Sequence, residues 1–131
     1  MTFRLPLGFL FLFALLCCGC GGDDDEDMTT PTFTRADYVG TYDINDNCDG
    51  RSRTFVISLR AGNASNTVLF DNMLDIGEEV GATVAGDQLT IPRQRTDSFR
   101  VFEGSGTLTT AALRINYTVS GASCFATLTP R

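Results

Sequence analysis

Asp43, Asn45, Asp46, Asn47 and Asp49 crowd one short stretch, and Asn45-x-Asn47-x-Asp49-Gly50 has the first half of a calcium-loop spacing. A calcium loop closes its coordination sphere with a bidentate glutamate, and here that position is Val56. The stretch therefore reads as a polar turn rich in Asx residues. Glu78 and Glu79 read as a solvated charge pair, because nothing in the sequence sets another acid at a working distance from them. Cys48 and Cys124 do not make a zinc site, since the chain has no histidine to complete one. That absence also removes the commonest general base. Arg60, Arg100 and Arg114 fall on outward positions and fit either an anion-binding stripe or an ordinary soluble sheet surface. Tyr42, Phe55, Ile57, Ile115 and Tyr117 fall on inward positions, where they fit a packed core or the lining of a ligand cavity equally well; Tyr38 is a third tyrosine of the same kind. No nucleophile, base or metal cluster can be assembled from this inventory, so it implies no catalysis and no cofactor.

The elements that would position these residues are strands, because no stretch beyond the leader sustains a helical period. Thr34-Arg35-Ala36-Asp37 has capping-box spacing and predicts one helical turn. Strands follow over 38–44, 53–60, 67–70, 80–84, 88–92, 99–108, 113–119 and 124–129. The alternation is clearest in Phe55, Ile57 and Leu59 and again in Leu113, Ile115, Tyr117 and Val119. Residues 45–50 read as a loop, and 71–79 as the longest connection, its Met73, Leu74 and Ile76 lying across an open end of the sheet. Phe99 and Val101 open the sixth strand, Pro92 terminates pairing in the fifth, and Gly104-Ser105-Gly106 suggests a bulge or sharp bend.

Ahead of this domain, Arg4 is followed by the apolar run Leu5 to Leu16, too short for the roughly 20 residues of a spanning helix. It reads as the hydrophobic part of a secretory signal. The cysteine cluster behind it, Leu15-Leu16-Cys17-Cys18-Gly19-Cys20, resembles the lipobox of bacterial lipoproteins, in which the cysteine after the cleaved bond takes the lipid. Cys20, preceded by the small Gly19, matches that role, and Cys18 is the alternative. Cleavage before Cys20 would discard Cys17 and Cys18, commit Cys20 to the anchor and leave Cys48 and Cys124 as a pair in an oxidising compartment. Cleavage before Cys18 would strand one thiol.

Gly21-Gly22 and the acidic run Asp23 to Asp27 form a self-repelling, extended spacer. Such a run behind the lipidated cysteine resembles the export signal of Bacteroidetes-type surface lipoproteins. The expected location is thus the bacterial outer membrane, on its surface or facing the periplasm. The division that follows is a signal peptide over 1–19, a lipidated cysteine with its tether over 20–32, and one small domain over 33–131. Of sixteen acids, five lie in Asp23 to Asp27, which leaves the domain eleven acids against nine arginines and no lysine. Without a basic face it has no means of holding nucleic acid.

Eight short strands joined by short turns predict an all-β, antiparallel, up-and-down meander, which is most stable when it closes and loses its edges. Closure sets the end of the first strand beside the start of the eighth and predicts a Cys48–Cys124 disulfide at the seam. The opening Tyr38-Val39-Gly40-Thr41-Tyr42, with the acidic lipidated leader, resembles the small lipocalin-like lipoproteins, a family of eight-stranded barrels. Their Gly-x-Trp is Gly40-Thr41-Tyr42 here, a smaller ring at the base. The exposed connection 71–79 with its apolar residues favours a barrel whose end loops bind an envelope protein or a glycan, and the alternative is a carrier of a small apolar ligand inside the barrel.

Overall fold

The computed structural model describes residues 30–131. The leader, Cys18, Cys20 and the acidic run lie outside the described residues. A single helical turn, α1 (Arg35–Tyr38), precedes β1 (Gly40–Cys48), β2 (Arg51–Ala61), β3 (Thr67–Met73), β4 (Glu78–Ala85), β5 (Gln88–Arg95), β6 (Val101–Leu108), β7 (Leu113–Val119) and β8 (Ala122–Pro130). Each strand pairs antiparallel with its neighbour in the chain, and β1 also pairs with β8, from Tyr42 opposite Pro130 to Cys48 opposite Cys124. The sheet is therefore a closed barrel, and the predicted disulfide between Cys48 and Cys124 stands on the closing seam.

One face of each strand fills the interior. Tyr42, Ile57, Ile115 and Tyr117 are buried there with Ile44, Leu59, Phe70, Ile91 and Phe102, and Phe55 packs against them half-buried near one end. At the base, α1 lies across the barrel mouth. Asp37 accepts bonds from the Thr34 backbone N–H (2.6 Å) and hydroxyl (2.9 Å), which fixes the turn and lowers its carboxyl pKa. Arg35 donates to the carbonyl of Ala64 at 2.7 Å. Tyr38 is fully buried and its hydroxyl donates to the Gly86 carbonyl at 2.8 Å; the Tyr42 hydroxyl donates to the carbonyl of Tyr38 at 2.8 Å. The base is thus closed by a helical turn whose buried Tyr38 is tied through its carbonyl to the Tyr42 hydroxyl.

Several boundaries differ from the sequence expectation. β1 does not start at Tyr38, which belongs to α1, and it does not end at Ile44. With partners on both sides it continues through Asn45, Asp46 and Asn47 to Cys48, so the supposed loop is only the Asp49-Gly50 turn. Likewise β3 reaches Met73 and β4 begins at Glu78, which shortens the connection over 71–79 to four residues. Of its apolar residues Met73 and Leu74 are buried, while Ile76 is exposed. Phe99 is not in β6: it sits in the preceding turn, 75 % exposed at φ 64°, and Phe102 takes the inward position.

Pro92 does not end β5. The register slips between Ile91 and Gln94, and the strand resumes to Arg95. On its other side β5 pairs with β4 only from Thr83–Thr90 to Ala85–Gln88. Beyond that the Gln94 side chain replaces the missing ladder, accepting from the Gly81 N–H at 2.9 Å and donating to the Gly81 carbonyl at 2.7 Å. Gly104 and Gly106, in contrast, pair in regular register on both sides. A Cβ on Gly104 would stand 2.4 Å from the Asn116 carbonyl oxygen, and one on Gly106 would stand 2.7 Å from that of Arg114. These glycines serve close approach of β6 to β7, not a bulge.

Candidate functional site

The up-and-down order gives the barrel two unlike ends. The base carries residues 30–34, α1 and Arg131, whose N–H bonds the Thr41 carbonyl at 3.1 Å. The opposite, distal end carries the turns after β1, β3, β5 and β7. Among the described residues, every non-glycine residue with positive φ lies there: Asp49, Asn72, Leu74, Asp75, Phe99 and Ser120. Asn72 steadies its own turn, its amide donating to the Asp75 carboxylate at 3.2 Å and its oxygen accepting from the Gly77 N–H at 2.8 Å. Leu74 and Phe99 are large side chains in a backbone region they rarely adopt. Leu74 is held by burial, and Phe99 by Thr96, whose carbonyl accepts the Phe99 N–H at 2.9 Å.

Just inside the distal end lies a buried polar cluster. Asp46 is fully buried, accepts the Tyr117 hydroxyl at 2.7 Å and pairs with Arg53 at 3.2 Å. Arg53 also donates to the Leu74 carbonyl at 3.2 Å, which ties β2 to the β3–β4 turn. Burial, and then the bond to Asp46, raise the Tyr117 hydroxyl far above its ordinary pKa. Nearby, Glu78 is almost wholly buried, accepts from the Ser98 hydroxyl and lies 3.8 Å from Arg100. Both carboxylates have hydrogen-bond partners.

The five Asx residues do not converge on one point. Asp43, Asn45 and Asn47 project outward along β1, Asp46 projects inward, and Asp49 makes the turn. A strand advancing about 3.3 Å per residue spreads them instead of wrapping them round an ion. Among the described residues no three of His, Cys, Asp and Glu cluster for metal binding. The arginines do not form a stripe. Arg60 on β2 pairs with Asp71 and Glu79, Arg100 pairs with Glu78 at the distal end, and Arg114 stands on β7, strands away. Glu78 and Glu79, expected as a solvated pair, are split by strand alternation, one inward and one outward.

Asp46 was expected in a polar turn and Arg53 was not singled out by the sequence, yet the fold joins the two at the distal end. The signal was present: Tyr42, Ile44 and Asp46 continue one alternation, but a charged residue in a polar run argued for a loop.

On the outer wall, a groove of about 680 Å³ runs over β1 between β2 and β8, lined by Asp43, Asn45, Thr54, Val56, Thr127 and Thr129 among others. A second, of about 520 Å³, follows β7 and β8 and is bordered by Phe125, Asn116, Thr118 and Ser123. Phe125 is 56 % exposed, and its cross-strand partners are Asn47 on β1 and Asn116 on β7.

No family model, curated protein or solved structure matches this chain.

Proposed function

We propose that the protein is a lipid-anchored lipoprotein of the bacterial cell envelope, lipocalin-like in form, whose barrel is a non-catalytic binding module. The observation that carries this reading is the Cys48–Cys124 disulfide. It joins the two cysteines that cleavage before Cys20 would leave over, and structural disulfides belong to oxidising compartments such as the periplasm and the cell surface. With two or three acyl chains on Cys20, attachment to the outer membrane would be effectively permanent, since each buried methylene contributes about 0.8 kcal/mol.

The packing favours binding by the outside of the barrel over carriage of an apolar ligand within it. Tyr42, Ile57, Ile115 and Tyr117 are each under a tenth exposed and belong to one continuous core. In a barrel of eight short strands, inward side chains are enough to fill the interior.

Metabolic labelling with an alkynyl fatty acid tests the anchor. The wild-type protein takes up label and enters the detergent phase, and Cys20→Ser loses both properties. Label that survives Cys20→Ser and vanishes in Cys18→Ser moves the anchor to Cys18. An unlabelled wild-type protein overturns the reading.

A further inference from the structure

We infer that the outer wall around Phe125 is a binding face for a neutral glycan. This deepens the reading of the barrel as an envelope binding module by giving its partner a chemical class. Phe125 is a large apolar side chain directed at solvent from the middle of a paired strand, where burial in the core cannot explain it. Its two cross-strand partners are both asparagines, Asn47 and Asn116. Facing residues on paired strands have Cβ atoms about 5 Å apart, so the phenyl ring is bracketed on both sides by primary amides. The rows above and below continue the pattern: Ser123 stands opposite Thr118, and Thr127 opposite Asn45.

These groups match a sugar more closely than other partners. A pyranose has an apolar C–H face that lies on an aromatic ring, and a rim of hydroxyls that each donate and accept. Amides and hydroxyls also do both, whereas carboxylates and guanidinium groups do only one. Around Phe125 the outward ionisable residues are Arg114, Asp49 at the β1–β2 turn and Glu103 on β6, the last paired with Arg93, so neither sign of charge prevails. The wall over β2 to β4, by comparison, carries the Arg60–Asp71–Glu79 cluster. A face on which no charge prevails offers little to an anionic membrane or a nucleic acid, and it carries no tyrosine or tryptophan of the kind that anchors protein interfaces. The groove that Phe125 borders, about 520 Å³, lies within the range of small-ligand sites. Because these side chains stand on paired strands, little backbone must be ordered when a ligand binds.

The test titrates the full-length protein, held in a zwitterionic detergent that has no sugar headgroup, with maltohexaose, cellohexaose and chitohexaose, observed by ligand NMR. At least one sugar binds saturably at millimolar concentration or below. Phe125→Ala weakens that binding about tenfold, Phe125→Leu does so nearly as much because it keeps the bulk but not the ring, and Phe99→Ala at the distal end leaves it unchanged. Circular dichroism checks that each variant keeps the wild-type fold. No saturable binding by any of the three sugars overturns the proposal, as does binding indifferent to Phe125→Ala. Phe125-dependent cross-linking to a protein on cells, with no sugar bound in the titration, would assign the face to a protein instead. A negative titration leaves the anchor intact, since fatty-acid labelling reads Cys20 and not the wall.

Discussion

Asp46 shows how unequal two halves of one ion pair can be. Its carboxylate is fully buried, whereas the Arg53 side chain is 40 % exposed. Removing the arginine strands a charge out of reach of water with only the Tyr117 hydroxyl left to it, and uncompensated buried charges of this kind cost about 3–5 kcal/mol. Asp46→Asn keeps the shape and frees Arg53 to turn to solvent, so its cost is the smaller one of a weakened hydrogen bond, about 1–2 kcal/mol. Urea denaturation should therefore rank Arg53→Ala as the more damaging change, although it lies at the surface. The tyrosines give a second expectation at this scale. Burial pushes the Tyr38 hydroxyl up to about 12 and raises Tyr42 and Tyr117 as well. The fold holds these protons more tightly than the unfolded chain, whose tyrosines ionise near pH 10. Their contribution is complete below about pH 10 and declines as the pH rises toward 12, because there the unfolded state binds fewer protons. The urea midpoint should fall across that window, and fall less in Tyr38→Phe.

Among the elements, the seam between β1 and β8 is the pairing of longest range, and the disulfide sits at its distal end, its cysteines 76 positions apart in the chain. Constraining a loop of that length in the unfolded chain is worth about 4 kcal/mol. The Cys48→Ala, Cys124→Ala double variant should lose an amount of this order in denaturant titration, with proteolysis beginning at β1 and β8. The strands themselves were legible wherever one face was apolar and the other polar, as in Leu113 to Val119. They were illegible where that code was interrupted for a local reason. Asp46 stands inward in β1, where a polar run argued for a loop. Pro92 sits inside β5 because Gln94 supplies the bonds it cannot make, a substitution between side chain and backbone that has no sequence signature. Gly104 and Gly106 read as a bend, whereas their purpose is room for the neighbouring strand. Of the candidate site, the disulfide and the inward tyrosines could be read in advance. The bracketing of Phe125 by two asparagines could not, because it depends on the register of three strands at once.

At the level of the whole molecule, residues 30–34 and Arg131 leave from one end while the strained turns crowd the other. If the chain is tethered through Cys20, the base faces the bilayer and the turns at Asp49, Asp75, Phe99 and Ser120 point away. Single cysteines introduced at Asp97 and at Asp87 would then differ in intact cells whose outer face carries the protein. A bulky maleimide should modify the distal Asp97 position several times faster than the basal Asp87 position, and equal rates would rule out that orientation.

Closure of the sheet has a consequence for how the molecule can change. With each strand paired to both neighbours over at least part of its length, most of the main chain is committed, and little of it is open to a strand from outside. Recognition then falls mainly to side chains. Alternate positions of all eight strands face outward without holding up the core, so the wall can be rewritten residue by residue while the barrel beneath it stays the same: a durable drum whose skin is free to take on new partners.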